Sequence, residues 1–255
     1  MKDFILSEPW FWVIPNWVQF VLIAVIAYLV GCFHFARFYC WIKKKDVSKM
    51  GSGNPGAMNM IRNFGAGIGF LTFFFDAFKA GIPAIIVYHL YNVGSYSGGI
   101  PTGAVFAETQ FPVGCFAAFL CGVCVVLGHV FPATSKFKGG KGISSGVGLF
   151  WLMLGMANPW FWLIGFGFIL TWPVTISLTK AGSICSMSYL AGFGIWQIGV
   201  LFNSYGTGSL WSALCVAFIF GVVALSWVAH HKNIRCLMSG EEHETVLIKK
   251  KKKKV

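Results

Sequence analysis

Long apolar stretches with almost no charge recur along the chain, and they constrain its fold more than any other feature. A helix that crosses a bilayer needs about 20 mostly apolar residues, and several stretches reach that length. Charged residues make up only 11% of the 255-residue chain, whereas a soluble domain carries about 25%. The sequence therefore predicts an all-α, polytopic integral membrane protein that forms a helix bundle.

About seven transmembrane helices are predicted, although five or six would also fit the apolar pattern. Lysine and arginine follow the first, third, fifth and seventh spans, and Lys2 is the only basic residue on the opposite side. Because basic loops stay in the cytoplasm, we expect the N-terminus outside and the C-terminus inside, in a cell membrane. The spans are placed near residues 16–38, 67–91, 111–132, 143–156, 158–178, 182–202 and 208–229.

The domain prediction is one transmembrane domain over residues 1–248, followed by a polylysine tail over 249–255. The net charge of +12 is typical of proteins that bind nucleic acid, anionic lipid or anionic substrates. The lysines lie between apolar runs and do not alternate with aromatic residues, which argues against nucleic acid. The eight cysteines are scattered and form no metal-ligand pattern, so no metal or cofactor is predicted.

The first polar segment is GSGNPGAMNMIR, at residues 51–62. It contains a formal G-x-G-x-x-G, but a membrane span precedes it and no βαβ unit surrounds it, so a dinucleotide site is rejected. Glycines let backbone N–H groups approach an anion, and a following helix N-terminus adds positive potential. Ser52 and Asn54 can donate hydrogen bonds, and Arg62 can bind phosphate with two parallel bonds. A flexible capped turn explains this segment alone equally well.

The second polar segment is GHVFPATSKFKGGKG, at residues 128–142. Two glycines between lysines, at the start of an apolar helix, favour an anion-binding loop. It is not a Walker A loop, because no glycine lies five residues before Gly140 and Gly142 stands where serine or threonine is needed. A basic loop with turn glycines is the alternative, but it leaves the alternation of glycine with lysine unexplained.

The third polar segment is HHKNIR, at residues 230–235, and Gly240-Glu241-Glu242 follows it. His230 and Asn233 are three residues apart, so they share one face of a helix. A plain helix end, where cationic groups suit the helix dipole, explains this spacing at least as well.

Ionisable groups also fall inside or beside the predicted spans. Asp76 and Lys79 are three residues apart in the second span, so they can pair on one helix face. A structural ion pair is the default interpretation, and orientation of an active-site loop is the alternative. His34 and His89 lie near span ends and are expected at the membrane interface.

Taken together, these segments resemble the bacterial acyl-phosphate:glycerol-3-phosphate acyltransferases. The family's GSGNxGATNxxR is matched by GSGNPGAMNMIR, its GHxFPxFxxFKGGKG by GHVFPATSKFKGGKG, and its HRxNIxRLxxGxE by HHKNIRCLMSGEE. Its D-x-x-K-x-x-x-P run is matched by Asp76, Lys79 and Pro83. The sequence departs from the pattern at Met58 (usually Thr), Ala80 (often Gly), and His231 and Cys236 (usually Arg).

The resemblance implies transfer of a fatty acyl group from acyl phosphate to the 1-hydroxyl of sn-glycerol 3-phosphate. The products would be lysophosphatidic acid and phosphate, in the first step of phospholipid biosynthesis. It also implies a site on the cytoplasmic face, in contact with membrane lipid; we further expect a monomer. The expected catalytic residues are His129, Asn233, Ser52 and Lys141. The expected supporting residues are Asp76, Lys79 and Glu242. The expected phosphate-binding residues are Ser52, Gly53, Asn54, Asn59, Arg62, Lys138, Gly139, Gly140, Lys141, Gly142, Ser183, Ser186, His230 and Asn233.

The acceptor of the hydroxyl proton stays open. His129 is a reasonable base, since an unperturbed histidine titrates near ~6.5, but it could instead support the loop, and a substrate phosphate could accept the proton. A transporter for an organic phosphate is the rival function. Transporters commonly bind at the membrane midplane between repeats, whereas the polar segments here are predicted at one face and no repeat is visible. A lipid-binding scaffold would explain the lysine tail but not the three polar segments.

Overall fold

The computed structural model describes the backbone of residues 16–92, 96–97, 100–101, 105–106 and 111–239. Within these residues the fold is helical apart from two short antiparallel strand pairs, β1 (Tyr96–Ser97) with β2 (Ile100–Pro101) and β3 (Val105–Phe106) with β4 (Phe111–Pro112). The predicted all-α bundle is thus confirmed, while Glu242 and the 249–255 tail lie outside the described residues. The helices are α1 (Asn16–Gly31), α2 (Phe35–Ile42), α3 (Ala57–Phe64), α4 (Ala66–Asn92), α5 (Val113–Val130), α6 (Ile143–Ala157), α7 (Trp160–Thr179), α8 (Gly182–Tyr205), α9 (Leu210–Ala229) and α10 (His231–Met238).

The helices confirm a multi-pass membrane protein. In the described part of the chain, 5 helices (α4, α5, α7, α8 and α9) are long and apolar enough to cross a bilayer, and the bent pair α1–α2 brings the number to 6. The apolar helix α6 has 15 residues; at ~1.5 Å per residue it is about 22 Å long, shorter than the ~30 Å hydrocarbon core. The seventh crossing and the orientation in the membrane stay predictions.

The prediction of one continuous helix over residues 16–38 is wrong at its C-terminal end. Helix α1 ends at Gly31, and α2 begins at Phe35 after a bend of 40°. The break is stabilised from a distance, because the Lys79 ammonium of α4 donates hydrogen bonds to the carbonyl oxygens of Gly31 (3.2 Å) and Phe33. Broken helices persist inside a membrane only where such partners satisfy the freed backbone groups.

Small residues bring the helices close enough to build the site. A side chain on Gly31 of α1 would place its Cβ 2.2 Å from the Val125 carbonyl oxygen, and one on Gly128 of α5 would place it 2.1 Å from the Tyr28 carbonyl oxygen. Gly148 of α6 packs in the same way on α4, with its Cβ position 2.3 Å from the Ala77 carbonyl oxygen. Backbone approach of this kind drives helix association in lipid, where the hydrophobic effect contributes little.

Candidate active site

A cavity of about 740 Å³ lies at the end of the bundle where α5 and α9 end and α6 and α8 begin. Each of the three polar segments contributes to its lining, so residues far apart in the chain meet at one place. The predicted site residues in the lining are Ser52, Asn54, Asn59, Arg62, Asp76, His129, Lys141, Gly142, Ser183, Ser186, His230 and Asn233.

Three helix N-termini converge on this cavity. Its lining includes Gly56 before α3, Gly142 before α6 and Gly182 at the start of α8. The first N–H groups of a helix have no partner inside that helix, and its dipole favours an anion there. Arg62, Lys141 and Lys232 add cationic side chains to the same lining. The cavity therefore offers the chemistry that binds phosphate groups.

A short hydrogen-bond chain joins the second and third polar segments. The Lys141 ammonium donates to the Asn233 side-chain oxygen at 2.8 Å, and the Asn233 amide donates to the Ser183 hydroxyl. His230 and Asn233 both line the cavity, although His230 lies between α9 and α10 and not inside one helix with Asn233. Lys141 is thus held at the junction of the second segment, α8 and α10.

His230 lies just beyond α9 and presents a neutral ring to the cavity. Its Nδ1 lies 2.7 Å from the Ser226 carbonyl oxygen; because a carbonyl only accepts, Nδ1 donates and Nε2 keeps its lone pair. Burial, and next the positive charge of Lys141, lower the pKa of His230 to about 4. The neutral ring can therefore accept a hydrogen bond from a substrate hydroxyl at pH 7.

Residues 51–56, which we term the glycine–asparagine loop, are held by Asn59 of α3. The Asn59 side-chain oxygen accepts from the Ser52 backbone N–H at 3.1 Å, and its amide donates to the Met50 carbonyl at 2.9 Å. Asn59 was expected to bind phosphate, but its side chain is occupied in fixing the loop. Ser52 and Asn54 line the cavity as expected, whereas Gly53 does not.

Residues 138–142, which we term the glycine–lysine loop, pack on the end of α5. The Gly140 N–H, which was expected to bind phosphate, donates to the His129 carbonyl at 3.0 Å. A Cβ on Gly140 would lie 2.1 Å from the His129 Nε2, and one on Gly139 would lie 2.1 Å from the His129 carbonyl oxygen. Among the described residues, Lys138, Gly139 and Gly140 do not line the cavity, and Lys141 and Gly142 do.

Ser186 lines the cavity but is already hydrogen bonded within the protein. Its hydroxyl donates to the Gly182 carbonyl at 2.7 Å and accepts from the Trp172 indole at 3.2 Å. We therefore place Ser186 among the residues that shape the start of α8. To donate to a phosphate, the Ser186 hydroxyl would have to give up its hydrogen bond to Gly182.

The remainder of the cavity is apolar, which the sequence motifs did not indicate. The signal was present in α4, where Phe70, Phe73 and Phe74 follow the three- and four-residue spacing of one helix face. Anion-binding groups and an apolar surface in one cavity suit an amphipathic ligand. The apolar lining includes Phe70, Phe73, Phe74, Val147, Phe166, Ile169 and Leu170.

A buried polar network borders the cavity and contributes Asp76 and His129 to its lining. Asp76 and Lys79 form the predicted pair, with 3.0 Å between the Asp76 Oδ1 and the Lys79 Nζ. The Lys79 Nζ also lies 2.8 Å from the His129 Nδ1. His34, expected at the interface, is instead 2% exposed, and its ring stacks on His129 with 4.6 Å between the ring centres. Its contribution could not be predicted, because the contacts span 95 residues of the chain.

The fold and cavity define a class: an integral membrane protein with a cavity that combines helix N-termini and cationic side chains with an apolar lining. Residues 21–240 match the family model described as "Glycerol-3-phosphate acyltransferase". The chain belongs to the glycerol-3-phosphate acyltransferase family, and it is an acyltransferase.

Similar proteins cover nearly the whole chain. A glycerol-3-phosphate acyltransferase of Thermotoga petrophila is 33% identical over 230 residues, which are 90% of this chain and 98% of the relative. One of Mycoplasmopsis pulmonis is 30% identical and covers 85% of this chain and 88% of its own. Crystal structures of PlsY, described as an integral membrane glycerol 3-phosphate acyltransferase, include a glycerol 3-phosphate form. That form is 26% identical, covers 89% of this chain and 95% of its own, and has a TM-score of 0.64.

Proposed function

We propose that this acyltransferase moves a fatty acyl group from acyl phosphate to the 1-hydroxyl of sn-glycerol 3-phosphate. The hydroxyl oxygen attacks the acyl carbon, the bond between that carbon and the phosphate oxygen breaks, and lysophosphatidic acid and inorganic phosphate leave. The observation that carries the proposal is the convergence of three helix N-termini on a cavity whose remaining lining is apolar.

The two halves of the cavity match the two ends of the donor. The helix N-termini, Lys141 and Arg62 would hold two phosphate groups, while the apolar lining would take the acyl chain. An acyl phosphate already carries a good leaving group, so alignment of the reactants and stabilisation of developing negative charge supply the catalysis. The relatives named glycerol-3-phosphate acyltransferase support glycerol 3-phosphate as the acceptor, and the lysophosphatidic acid form of PlsY supports the product.

We further propose that the protein acts in the bacterial cell membrane with its cavity facing the cytoplasm. The basic loops lie at the same end of the bundle as the cavity, and basic loops stay cytoplasmic. Glycerol 3-phosphate would enter from water, and the acyl chain would enter from the bilayer. This position at one end of the helices also argues against the rival transporter, whose site belongs near the midplane.

The proton acceptor can be tested with a conservative variant at His129. The His129 Nδ1 accepts from the Lys79 ammonium, and an asparagine oxygen can accept the same bond but cannot act as a base. Because a general base contributes about 10²–10⁴-fold, a substrate phosphate as acceptor predicts that His129→Asn loses less than about 10-fold in kcat. A loss of 100-fold or more in kcat, with KM, folding and the position of the glycine–lysine loop unchanged, would identify His129 as the base.

The function itself is tested with the purified protein in detergent, supplied with acyl phosphate and glycerol 3-phosphate. We expect lysophosphatidic acid and phosphate in equal amounts, and no product from acyl coenzyme A. Organic phosphate flux across liposomes, in the absence of acyl transfer, would instead establish the transporter.

A further inference from the structure

We propose that Lys79 is a positioning residue that fixes the protonation form of His129 and thereby the placement of the glycine–lysine loop. This inference rests on the proposed function for its kinetic part. It concerns a side chain that does not line the cavity.

Lys79 contacts four groups from three parts of the chain. Its Nζ lies 3.0 Å from the Asp76 Oδ1 of the same helix, 3.2 Å from the Gly31 carbonyl oxygen and 2.8 Å from the His129 Nδ1. It also donates to the Phe33 carbonyl. The side chain is 7% exposed, so water does not compete effectively for these bonds. Its contacts extend well beyond those of a counter-ion for Asp76.

The contact with His129 determines where that ring carries its proton. A lysine ammonium has three donors and no acceptor. The four groups around the Lys79 Nζ share its three N–H donors, and the His129 Nδ1, at 2.8 Å, can only accept from an ammonium. The Asp76 Oδ1, which would favour a proton on the His129 Nδ1, lies further from that nitrogen at 3.7 Å, so we assign the proton of the neutral ring to Nε2. His129 is 3% exposed, so one orientation and one tautomer are held in place.

The orientation of His129 in turn determines the position of the glycine–lysine loop, because the two are in direct contact. The His129 Nε2 faces Gly140 so closely that a Cβ there would lie 2.1 Å away, and the His129 carbonyl accepts from the Gly140 N–H at 3.0 Å. Lys141, which follows, donates to Asn233 in the cavity lining. The His34 Nε2 lies 2.9 Å from the same His129 carbonyl oxygen. Two contacts, Lys79 with His129 and His129 with Gly140, thus connect Lys79 to the loop that carries Lys141, the cation expected to bind phosphate.

The first arm of the test measures the tautomer without any turnover. Nitrogen-15 NMR of histidine-labelled protein in detergent distinguishes a protonated Nε2 from a protonated Nδ1, and the loss of one signal set in His129→Asn identifies His129. We expect Nε2–H in the wild-type protein and a mixture in Lys79→Met/Asp76→Asn. Nδ1–H in the wild type, or an unchanged tautomer in the double variant, would overturn the inference.

The second arm separates positioning from simple charge balance. Lys79→Met leaves Asp76 buried without its counter-ion, so its folding can fail; the double variant Lys79→Met/Asp76→Asn removes both charges and tests Lys79 without that imbalance. We expect the double variant to lose about 100-fold in kcat/KM, as displacement of a binding group by about 1 Å can produce. Recovery of wild-type kcat and KM in the double variant would show that Lys79 only balances Asp76.

Two comparisons complete the test. Lys49→Met, at an exposed lysine outside the cavity lining, should keep wild-type kinetics and is the matched control. Absence of acyl transfer by the wild-type protein would contradict the proposed function, whereas the tautomer arm would still decide the role of Lys79.

Discussion

The glycine–asparagine loop and the glycine–lysine loop look alike in sequence, yet their glycines serve different purposes. In the first loop Gly51 and Gly53 adopt φ angles of +54° and +71°, which L-residues with a side chain rarely accept. In the second, Gly139 and Gly140 are needed because the backbone and ring of His129 occupy the space of a side chain. The two uses overlap, because a Cβ on Gly51 would also lie 2.3 Å from the Asn59 Oδ1 and Gly142 of the second loop has a φ of +80°. Gly139 and Gly140 are the glycines needed for packing without a positive φ.

This difference shows how a phosphate site can be divided between structure and binding. In the glycine–lysine loop, Gly139 and Gly140 pack against His129 and anchor the loop. Lys141 and Gly142 of the same loop line the cavity. The glycine–asparagine loop is anchored from outside by Asn59, which leaves Ser52 and Asn54 in the lining. A motif that is continuous in sequence therefore combines residues with two roles.

The largest effect is expected for Lys141→Ala. Loss of a cation that stabilises developing charge typically lowers catalysis by about 10²–10³-fold, and we expect kcat/KM to fall by that amount. Steady-state kinetics with both substrates measure it. The control is Lys136→Ala, an exposed lysine outside the cavity lining, which should stay within about two-fold of wild type. Equal effects in the two variants would contradict the special role of Lys141.

Gly140→Ala should have the second-largest effect, and it tests the packing role of the glycines in the glycine–lysine loop. The new methyl group would overlap the His129 ring, so we expect about 10- to 100-fold lower kcat/KM from the displaced loop and about 1–3 kcal/mol lower stability from overpacking. Kinetics and thermal unfolding in detergent measure the two effects.

Two glycines provide comparison variants for Gly140→Ala. Gly67→Ala on α4 has open space around its Cβ and should be neutral. Gly53→Ala should lose about 1–2 kcal/mol of stability from its left-handed backbone, with a smaller effect on turnover than Gly140→Ala. A Gly140→Ala variant as active as Gly67→Ala would remove the distinction between the loops.

Arg62→Lys should have a moderate effect beside the glycine–asparagine loop. Lysine keeps the charge but loses the planar pair of donors that binds phosphate with two parallel bonds. We expect about 10-fold weaker binding of one substrate, measured as KM and as inhibition by inorganic phosphate. An unchanged KM for both substrates would place Arg62 outside the binding site despite its position in the lining.

The titration of His230 should have the smallest effect, because it leaves the free energy of unfolding unchanged at neutral pH. The pKa of His230 is lowered to about 4 and returns to ~6.5 on unfolding. The folded state therefore binds fewer protons between these values, so its stability is complete above ~6.5 and falls as the pH drops towards 4. The loss is about 2 kcal/mol at pH 5.

Thermal unfolding of the wild type and His230→Gln across this pH range measures the contribution. Glutamine does not titrate, so the variant should lack this part of the acid destabilisation. Identical pH profiles for the two proteins would contradict the assignment of the neutral, buried ring.

Much of the fold could be predicted because a membrane imposes length and composition on each helix. The predicted spans correspond to α1–α2 and to α4 through α9 within a few residues at most of their ends. The break at residues 32–34 could not be predicted, since its stabilising donor, Lys79, lies on another helix. The burial of His34 likewise depends on a distant residue, because its ring contacts His129, 95 residues further along the chain.

The site was predicted in its location more reliably than in its detail. Lys141, His230 and Asn233 meet in the cavity because their polar segments stand out against an apolar chain. The sequence did not distinguish the glycines that pack from those that turn, because both roles select the same residue. It also could not show that Asn59 binds backbone groups, since a hydrogen bond to Met50 depends on how the loop folds.

The central claim, that the hydroxyl oxygen of glycerol 3-phosphate attacks an acyl carbon in this cavity, is tested most directly with an oxygen-18 label. Glycerol 3-phosphate labelled at its 1-hydroxyl is incubated with unlabelled acyl phosphate and the purified protein, and the products are analysed by mass spectrometry. The account predicts lysophosphatidic acid that retains the label and unlabelled inorganic phosphate, with both nearly absent for Lys141→Ala. Formation of a glycerol bisphosphate with release of free fatty acid, or no acylated product from the wild-type protein, would contradict it.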